Sequence, residues 1–231
     1  MATIRRHHHR VAIMAILLVL VAAPATAGAA VHVNLRVEGP TSTVVASRPV
    51  PFVGTVKGHS LAQPTALGAL ITATRNHGVP LGLQWFDCCG FFVNSIDGVA
   101  GNATHYWAFK VDNVLAPNGA GQTPAVAGQR VLFYYTSFDP VTFATEPTLG
   151  ISATTRAVHR FGKVRFRVTA YDDAGAGTAV VGANLWRQGR IVAHTNAKGK
   201  ATLKFRKRGT YPVRATSAGK IRSQRLWITV S

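Results

Sequence analysis

Two adjacent cysteines, Cys88 and Cys89, are the only thiols in the chain. An ordinary disulfide joins residues whose Cα atoms are about 5.5 Å apart, whereas neighbours along a chain are about 3.8 Å apart. The pair therefore cannot staple distant segments. Three interpretations stay open: a strained ring between the neighbours, a bridge to another molecule, or two free thiols. A redox CxxC motif is absent, and two adjacent thiolates form an incomplete zinc ligand set, so we expect no metal site.

The carboxylates of the first half of the chain fall mostly at predicted turns. They are Glu38, Asp87, Asp97, Asp112, Asp139 and Glu146. Glycosidases and aspartic proteases need two converging carboxylates with separated pKa values, and nothing in this spacing favours such a pair. A thiol-dependent enzyme that pairs Cys88 or Cys89 with His77 or His105 is a less favoured class, because no family signature accompanies these residues. We therefore expect a protein that is not an enzyme and has no catalytic residues.

Aromatic side chains are concentrated between residues 85 and 135. In alternating strands, half of them point inward and form the core. The outward half would make a platform for a small molecule or a glycan. The residues predicted for this ligand site are Trp85, Tyr106, Trp107 and Tyr134.

The N-terminus has the tripartite pattern of a cleavable secretory signal peptide, predicted over residues 1–30. Basic residues precede an uncharged apolar run at 11–23, and small residues then offer cleavage after Ala27 or Ala30. The run is shorter than the roughly 20 apolar residues that a membrane span needs, and no later stretch is apolar enough. We expect a secreted or cell-surface protein without a transmembrane span after cleavage.

The net charge of +18 is distributed unevenly along the chain. Residues 31–148 carry six basic and six acidic side chains, whereas residues 149–231 carry seventeen Lys or Arg against Asp172 and Asp173. Exposed cations aid solubility and protect sheet edges, but so large an excess favours a polyanionic partner. For an exported protein we expect an anionic envelope polymer or lipid headgroups, and no nucleic acid. The residues predicted to contact the polyanion are Arg165, Arg167, Lys204, Arg206, Lys207, Arg208, Arg222 and Arg225.

Hydrophobic periodicity predicts a mainly β protein, with a small α+β unit followed by an antiparallel β-sandwich. Apolar residues three and four apart around Leu67, Leu70 and Ile71 predict one helix, which opens near Pro64 or Thr65. The strands predicted around the helix are 31–37, an extended stretch at 42–56, 83–96, 105–111 and 130–138. This order is typical of a small sheet packed on one helix.

The second part of the chain has a period of almost pure two. Residues 139–149 lack a clear period and are predicted to be a linker. After them, Val164, Phe166 and Val168 alternate with polar residues, and about seven such runs recur at a spacing of roughly 8–12 residues. The pattern predicts an antiparallel β-sandwich over residues 150–231, with basic residues on its outward positions.

Residues 31–138 resemble the transcobalamin C-terminal-like domain, a β-grasp-related family of exported bacterial proteins. The resemblance rests on the segment 106–113 (YWAFKVDN), on Gly98 before it, and on the segment 128–135 (GQRVLFYY). In this family the first of these strands usually ends in Val-Asn-Gly, and a Gly-Asp turn starts the last strand; here Asp112-Asn113 and Gln129 depart from that pattern. The resemblance implies a β-grasp fold and a corrinoid such as cobalamin as a candidate ligand.

Residues 150–231 resemble bacterial immunoglobulin-like and carboxypeptidase-regulatory-like sandwiches. The pattern lies in the segments 182–186, 195–201 and 209–216, where a turn of the form N-x-x-G feeds an alternating strand. It indicates a fold and identifies no ligand. Together, these observations predict a non-enzymatic binding or adhesion protein of the bacterial cell envelope, whose basic sandwich contacts anionic surface polymers. The alternative is an extracellular protein that binds a small, corrinoid-like ligand and uses the sandwich as a spacer.

Overall fold

The computed structural model describes residues 32–47, 53–61 and 63–231, so the predicted signal peptide lies outside the described residues. Two separate hydrophobic cores organise the described chain. One is built from residues between Val33 and Phe133 and the other from residues between Leu149 and Val230. We call residues 32–138 the N-terminal module and residues 148–231 the sandwich. The protein is mainly β, which confirms the predicted fold class.

The described part of the N-terminal module contains ten strands and one helix. In chain order they are β1 (Asn34–Glu38), β2 (Thr43–Ser47), β3 (Gly54–Val56), β4 (His59–Leu61), α1 (Ala66–Asn76), β5 (Leu81–Phe86), β6 (Gly90–Ile96), β7 (Val99–Ala100), β8 (His105–Val111), β9 (Val114–Leu115) and β10 (Arg130–Ser137). A five-stranded sheet has the order β2-β1-β10-β8-β9, and in it β1 runs parallel to β10. A sheet with the first and last strands parallel at its centre, packed against a helix, is a β-grasp-like arrangement.

Helix α1 begins directly after Thr65, where its sequence predicts. The Thr65 hydroxyl accepts a hydrogen bond from the Gly68 N–H at 3.0 Å and so caps the first turn. Leu67 and Leu70 are fully buried in the first core. After Asn76 the chain reaches Gly78 with a φ of 64°, a left-handed conformation that favours glycine at a helix end.

The sandwich contains nine strands in the described chain. They are β11 (Thr148–Ala153), β12 (Ala157–Val158), β13 (Lys163–Tyr171), β14 (Gly177–Ala179), β15 (Asn184–Arg187), β16 (Arg190–His194), β17 (Lys200–Lys204), β18 (Gly209–Thr216) and β19 (Leu226–Val230). One sheet has the order β11-β13-β14 with β17 also paired to β13, and the other has the order β12-β19-β18-β15-β16. All pairs are antiparallel except β12 with β19. Strand β11 begins at Thr148, inside the segment predicted to be a linker, because Leu149 is already part of the second core.

A buried polar cluster joins the two modules. Lys110 on β8 is fully buried on the sheet face opposite to the first core, and its ammonium lies 3.1 Å from Asp173 Oδ1. It also donates hydrogen bonds to the carbonyls of Tyr171 and Asp172 at 3.2 and 2.7 Å. Burial lowers the pKa of Lys110. Burial would raise the pKa of Asp173, but hydrogen bonds from Thr145 and the charge of Lys110 outweigh that effect and hold this pKa below its usual value.

A second buried cluster surrounds Glu38. This carboxylate lies 3.2 Å from Arg36 Nη1 and 3.5 Å from Arg222 Nη1. Arg222 also donates hydrogen bonds to the carbonyls of Gly39 and Pro40 at 3.0 and 2.8 Å. The prediction that Arg222 contacts a polyanion is therefore wrong, because its guanidinium points into the N-terminal module.

Candidate functional site

A compact set of cations lies on the outward side of β13 and β17, and we call it the basic face. Its members are the exposed cationic side chains of these two strands: Lys163, Arg165, Arg167, Lys200 and Lys204. The antiparallel register places Lys163 opposite Lys204 and Arg167 opposite Lys200. Two pairs of like charges therefore share one surface.

No acidic side chain neutralises the basic face. The only acids after residue 148 are Asp172 and Asp173. Asp173 binds Lys110, and the Asp172 carboxylate accepts a hydrogen bond from the Ala176 N–H at 2.8 Å. Within the described residues, no side chain of the basic face takes part in an ion pair. Because like charges directly opposite each other destabilise a sheet, sheet stability does not explain this pattern.

The structure brings only some of the predicted polyanion-binding residues together. Arg165, Arg167 and Lys204 lie on the basic face. Three others are exposed in the segment that follows β17: Arg206, Lys207 and Arg208. Arg225 precedes β19 in the opposite sheet. The prediction missed Lys163 and Lys200, although strand periodicity places Lys163 on the same side as Arg165.

A groove of about 1070 Å³ lies between the five-stranded sheet of the N-terminal module and the sandwich, and we call it the junction groove. The sandwich contributes Arg156, Arg167, Arg225 and Trp227 to its walls, and the N-terminal module contributes Arg36 and Arg130. Arg167 belongs to both the groove and the basic face, so the two cationic surfaces are continuous. Trp227 is 52% exposed.

Two of the four aromatic residues predicted to bind a ligand are core residues. Trp107 is 4% exposed and donates a hydrogen bond from Nε1 to the Val99 carbonyl at 2.8 Å. Tyr134 is fully buried, and its hydroxyl shares a 2.8 Å hydrogen bond with the Thr145 hydroxyl. Neither offers a surface to a ligand, so the prediction is wrong for both. Tyr106 is half-buried, and burial raises its pKa.

Trp85 belongs to an exposed end of the β5–β6 hairpin, which we call the aromatic hairpin. Its ring stacks on His59 with centroids 3.5 Å apart. On the other face of the hairpin, the exposed rings of Phe86 and Phe92 meet edge to face at 6.4 Å. The turn between the strands holds a disulfide between Cys88 and Cys89, so the structure contains the first of the three arrangements left open by the sequence.

A neutral pocket of about 480 Å³ adjoins the aromatic hairpin. Phe86, Phe92 and the two cysteines line it on one side, and Asn118 and Gln122 line it on the other. No charged side chain is among its lining residues. Aromatic faces and amides suit an uncharged ligand with an apolar ring face.

The described residues hold no group of three or more His, Cys, Asp or Glu side chains placed to bind a metal ion. No helix among them is long and apolar enough to cross a membrane. Both cysteine sulfurs are engaged in the disulfide, so neither is a nucleophilic thiolate in this structure.

Comparison with known proteins finds a similarity for the N-terminal module. Residues 65–137, from the cap of α1 to the end of β10, match the family described as "Domain of unknown function (DUF4430)". No match is found among curated proteins. Among solved structures, the D00-D0 domain of Intimin is similar over 67% of this chain and 80% of that chain, with 13% sequence identity and a TM-score of 0.27, which assigns no function. The C-terminal two thirds of the N-terminal module are thus similar to DUF4430, a family whose function is unknown.

Proposed function

We propose that this protein is a non-enzymatic binding protein of the bacterial cell envelope, and that its basic face holds an anionic surface polymer. The observation that carries the proposal is the register of β13 and β17. Lys163 stands opposite Lys204 and Arg167 opposite Lys200, and no carboxylate neutralises either pair. Without a ligand, such pairs cost stability. A bound polyanion would remove this repulsion.

The geometry of the sheet suits a repeating anion. Alternate residues of β13 are spaced about 7 Å apart along the strand, and neighbouring strands lie about 4.8 Å apart. The basic face is therefore a small grid of cations, complementary to a polymer with closely spaced negative charges. Because these side chains are exposed, salt screens their attraction: the Debye length falls from about 10 Å at 0.1 M salt to about 3 Å at 1 M.

Co-sedimentation with purified bacterial cell walls tests the proposal. We expect binding at about 0.1 M salt and release at about 1 M salt. The double variant Lys163→Thr/Lys204→Thr should bind several-fold more weakly, because it removes two cations from the basic face. Threonine is chosen as the substitute because it fits a strand and already occupies position 202 of β17. The matched control is Arg190→Thr/Lys220→Thr, which removes the same charge from positions outside β13 and β17 and their connecting turns.

Four results bear on the proposal. Wild-type binding that is weakened only in the basic-face variant supports it. Equal weakening by both double variants would show a diffuse charge effect and reject a site on β13 and β17. Absence of wall binding at low salt would also reject it. Binding to vesicles of anionic lipid, but not to walls, would assign the basic face to headgroups instead.

A second candidate function is the binding of a small organic ligand by the N-terminal module, with the sandwich as a spacer. The exposed rings of the aromatic hairpin favour it. The neutral pocket beside them, of about 480 Å³, falls within the range of small-ligand sites, about 300–1,000 Å³. Cobalamin is the probe suggested by the transcobalamin resemblance.

Visible absorbance on mixing with cobalamin tests this candidate, with Phe86→Ala/Phe92→Ala as the site variant. A shift that the wild type shows and the variant lacks supports it. If the spectrum does not change on mixing with cobalamin, a corrinoid is ruled out as the ligand. Absence of binding to neutral oligosaccharides in calorimetric titration would then rule out the wider candidate.

A further inference from the structure

We infer that the junction groove is a second binding site, specific for an anionic sugar: a saccharide ring that carries a carboxylate or a phosphate. The inference deepens the proposed function and rests on it, because Arg167 connects the groove to the basic face. It identifies the part of the protein that would recognise the chemistry of the polymer, and not only its charge.

Three arginines of the sandwich supply the anion site. Arg156, Arg167 and Arg225 all line the groove, and within the described residues none of them takes part in an ion pair. Their guanidinium groups are exposed, whereas their backbone positions are fixed. The Arg156 carbonyl accepts a hydrogen bond from the Thr229 N–H at 2.8 Å, which holds this loop against β19. Arginine binds carboxylates and phosphates through two parallel hydrogen bonds, so this set is suited to either group.

The acids near the groove do not cancel this charge. Glu38 is the one carboxylate that lines it, and two arginines pair with that side chain. Arg130 on the same wall pairs with Asp112 at 3.4 Å. The groove therefore keeps an excess of positive charge on its sandwich side.

Trp227 supplies a surface for the sugar ring. Along β19, Leu226, Ile228 and Val230 are buried, so Trp227 and the preceding Arg225 project from the same outward side. Their Cα atoms are therefore about 7 Å apart. An exposed indole beside a free guanidinium can contact the apolar face of a ring while the guanidinium binds the acid that the ring carries.

Both walls add neutral hydrogen-bonding groups, and the whole site depends on the docking of the two modules. On the sandwich wall, Ser152 stands opposite Arg167 in the sheet register and lines the groove with it, and Asn34 and Asn113 line the wall of the N-terminal module. The groove has one wall from each module, so the buried pairs Lys110–Asp173 and Glu38–Arg222 fix its width. Its volume of about 1070 Å³ lies at the upper end for small ligands, which favours a segment of several sugar rings.

Calorimetric titration with two probes tests this inference on the full-length mature protein. The probes are an oligomer of galacturonic acid and a phosphorylated oligosaccharide, and a neutral galactose oligomer of the same length is the reference. We expect the acidic probes to bind and the neutral one to bind at least tenfold more weakly. The acidic probe with the higher affinity identifies whether the groove prefers a carboxylate or a phosphate.

Site variants separate the groove from the basic face. Arg225→Ala and Trp227→Ala should each lower the affinity for the acidic probe by about tenfold. This is the loss expected for one charge-assisted hydrogen bond or one stacked ring. Phe143→Ala, which removes an exposed ring outside the groove, is the matched control and should bind normally. The variant Lys163→Thr/Lys204→Thr should keep the affinity for the short probe but bind cell walls several-fold more weakly.

The outcomes distinguish the two proposals. If the acidic probe binds Arg225→Ala and Trp227→Ala as tightly as the wild type, the groove is not the site, even when cell-wall binding is intact. If cell-wall binding is absent while the short probe binds in the groove, the proposed function fails and the sugar site stands. Equal affinity for the neutral and acidic oligomers would overturn the anionic specificity.

Discussion

Lys110 Nζ and Asp173 Oδ1 lie 3.1 Å apart across the boundary between the two modules, and the Lys110 side chain is completely buried. Every charge and donor at this point has a partner, because the ammonium also contacts two backbone carbonyls and the carboxylate accepts two hydrogen bonds from Thr145. Polar groups with this many fixed partners allow few alternative arrangements. The pair therefore sets the geometry in which the junction groove is formed.

Removal of one partner should strongly destabilise this junction. Asp173→Asn leaves the Lys110 ammonium buried beside a neutral amide, and we expect a loss of about 3 kcal/mol in the free energy of unfolding. Urea unfolding monitored by circular dichroism measures it. Asp112→Asn is the control: its partner Arg130 is exposed, and such a surface pair contributes about 0–1 kcal/mol. Similar small losses in both variants would show that the buried pair does not secure the junction.

The same carboxylate should make stability fall in acid. The pKa of Asp173 is lower in the folded protein than in the unfolded chain, where an aspartate has a pKa of about 3.9. Stability from this group is therefore fully present above about pH 4 and is lost as the pH falls through the folded pKa. Thermal unfolding of the wild type and Asp173→Asn between neutral pH and about pH 2.5 measures the difference, which should shrink in acid. A constant difference over this range would contradict the assignment.

Local patterns in the sequence are sufficient to predict the strands and the helix, but not which strand pairs with which or in what register. The alternation of Val164, Phe166 and Val168 predicted both the strand and its buried side, because the period of a strand is a local property. Which cation stands opposite which depends on register, which long-range pairing determines. The pairing of Lys200 with Arg167 therefore cannot be predicted from local patterns.

The errors at Tyr134 and Arg222 have a common physical origin. A sheet in a small α+β unit is expected to expose one face to water, but here the sandwich covers the second face of the five-stranded sheet. Tyr134 and Lys110 lie on that covered face, which is why both are fully buried. Arg222 reaches across the same contact from the sandwich. Composition and periodicity describe each module by itself and carry no sign of this docking.

The disulfide between Cys88 and Cys89 should contribute little to global stability. A disulfide stabilises mainly by restricting the unfolded chain, and the effect grows with the length of the loop that it closes. Adjacent residues close no loop of intervening residues, so we expect Cys88→Ser/Cys89→Ser to lose less than about 1 kcal/mol. Urea unfolding measures the change, and cell-wall binding should be unaffected. A loss of several kcal/mol would show that the ring holds more than its own turn.

The basic face should exchange stability for binding. Lys163→Thr removes the like charge opposite Lys204, so we expect the free energy of unfolding to rise by about 0.2–1 kcal/mol. Lys163 is the better of the two positions to change, because the Lys204 ammonium also lies 5.7 Å from the centre of the Phe161 ring, a contact whose loss would oppose the gain. The same change should weaken cell-wall binding at low salt. Lys220→Thr, in a turn outside β13 and β17, should alter neither quantity appreciably. If Lys163→Thr destabilises the protein, the like-charge repulsion on which the proposed function depends is absent.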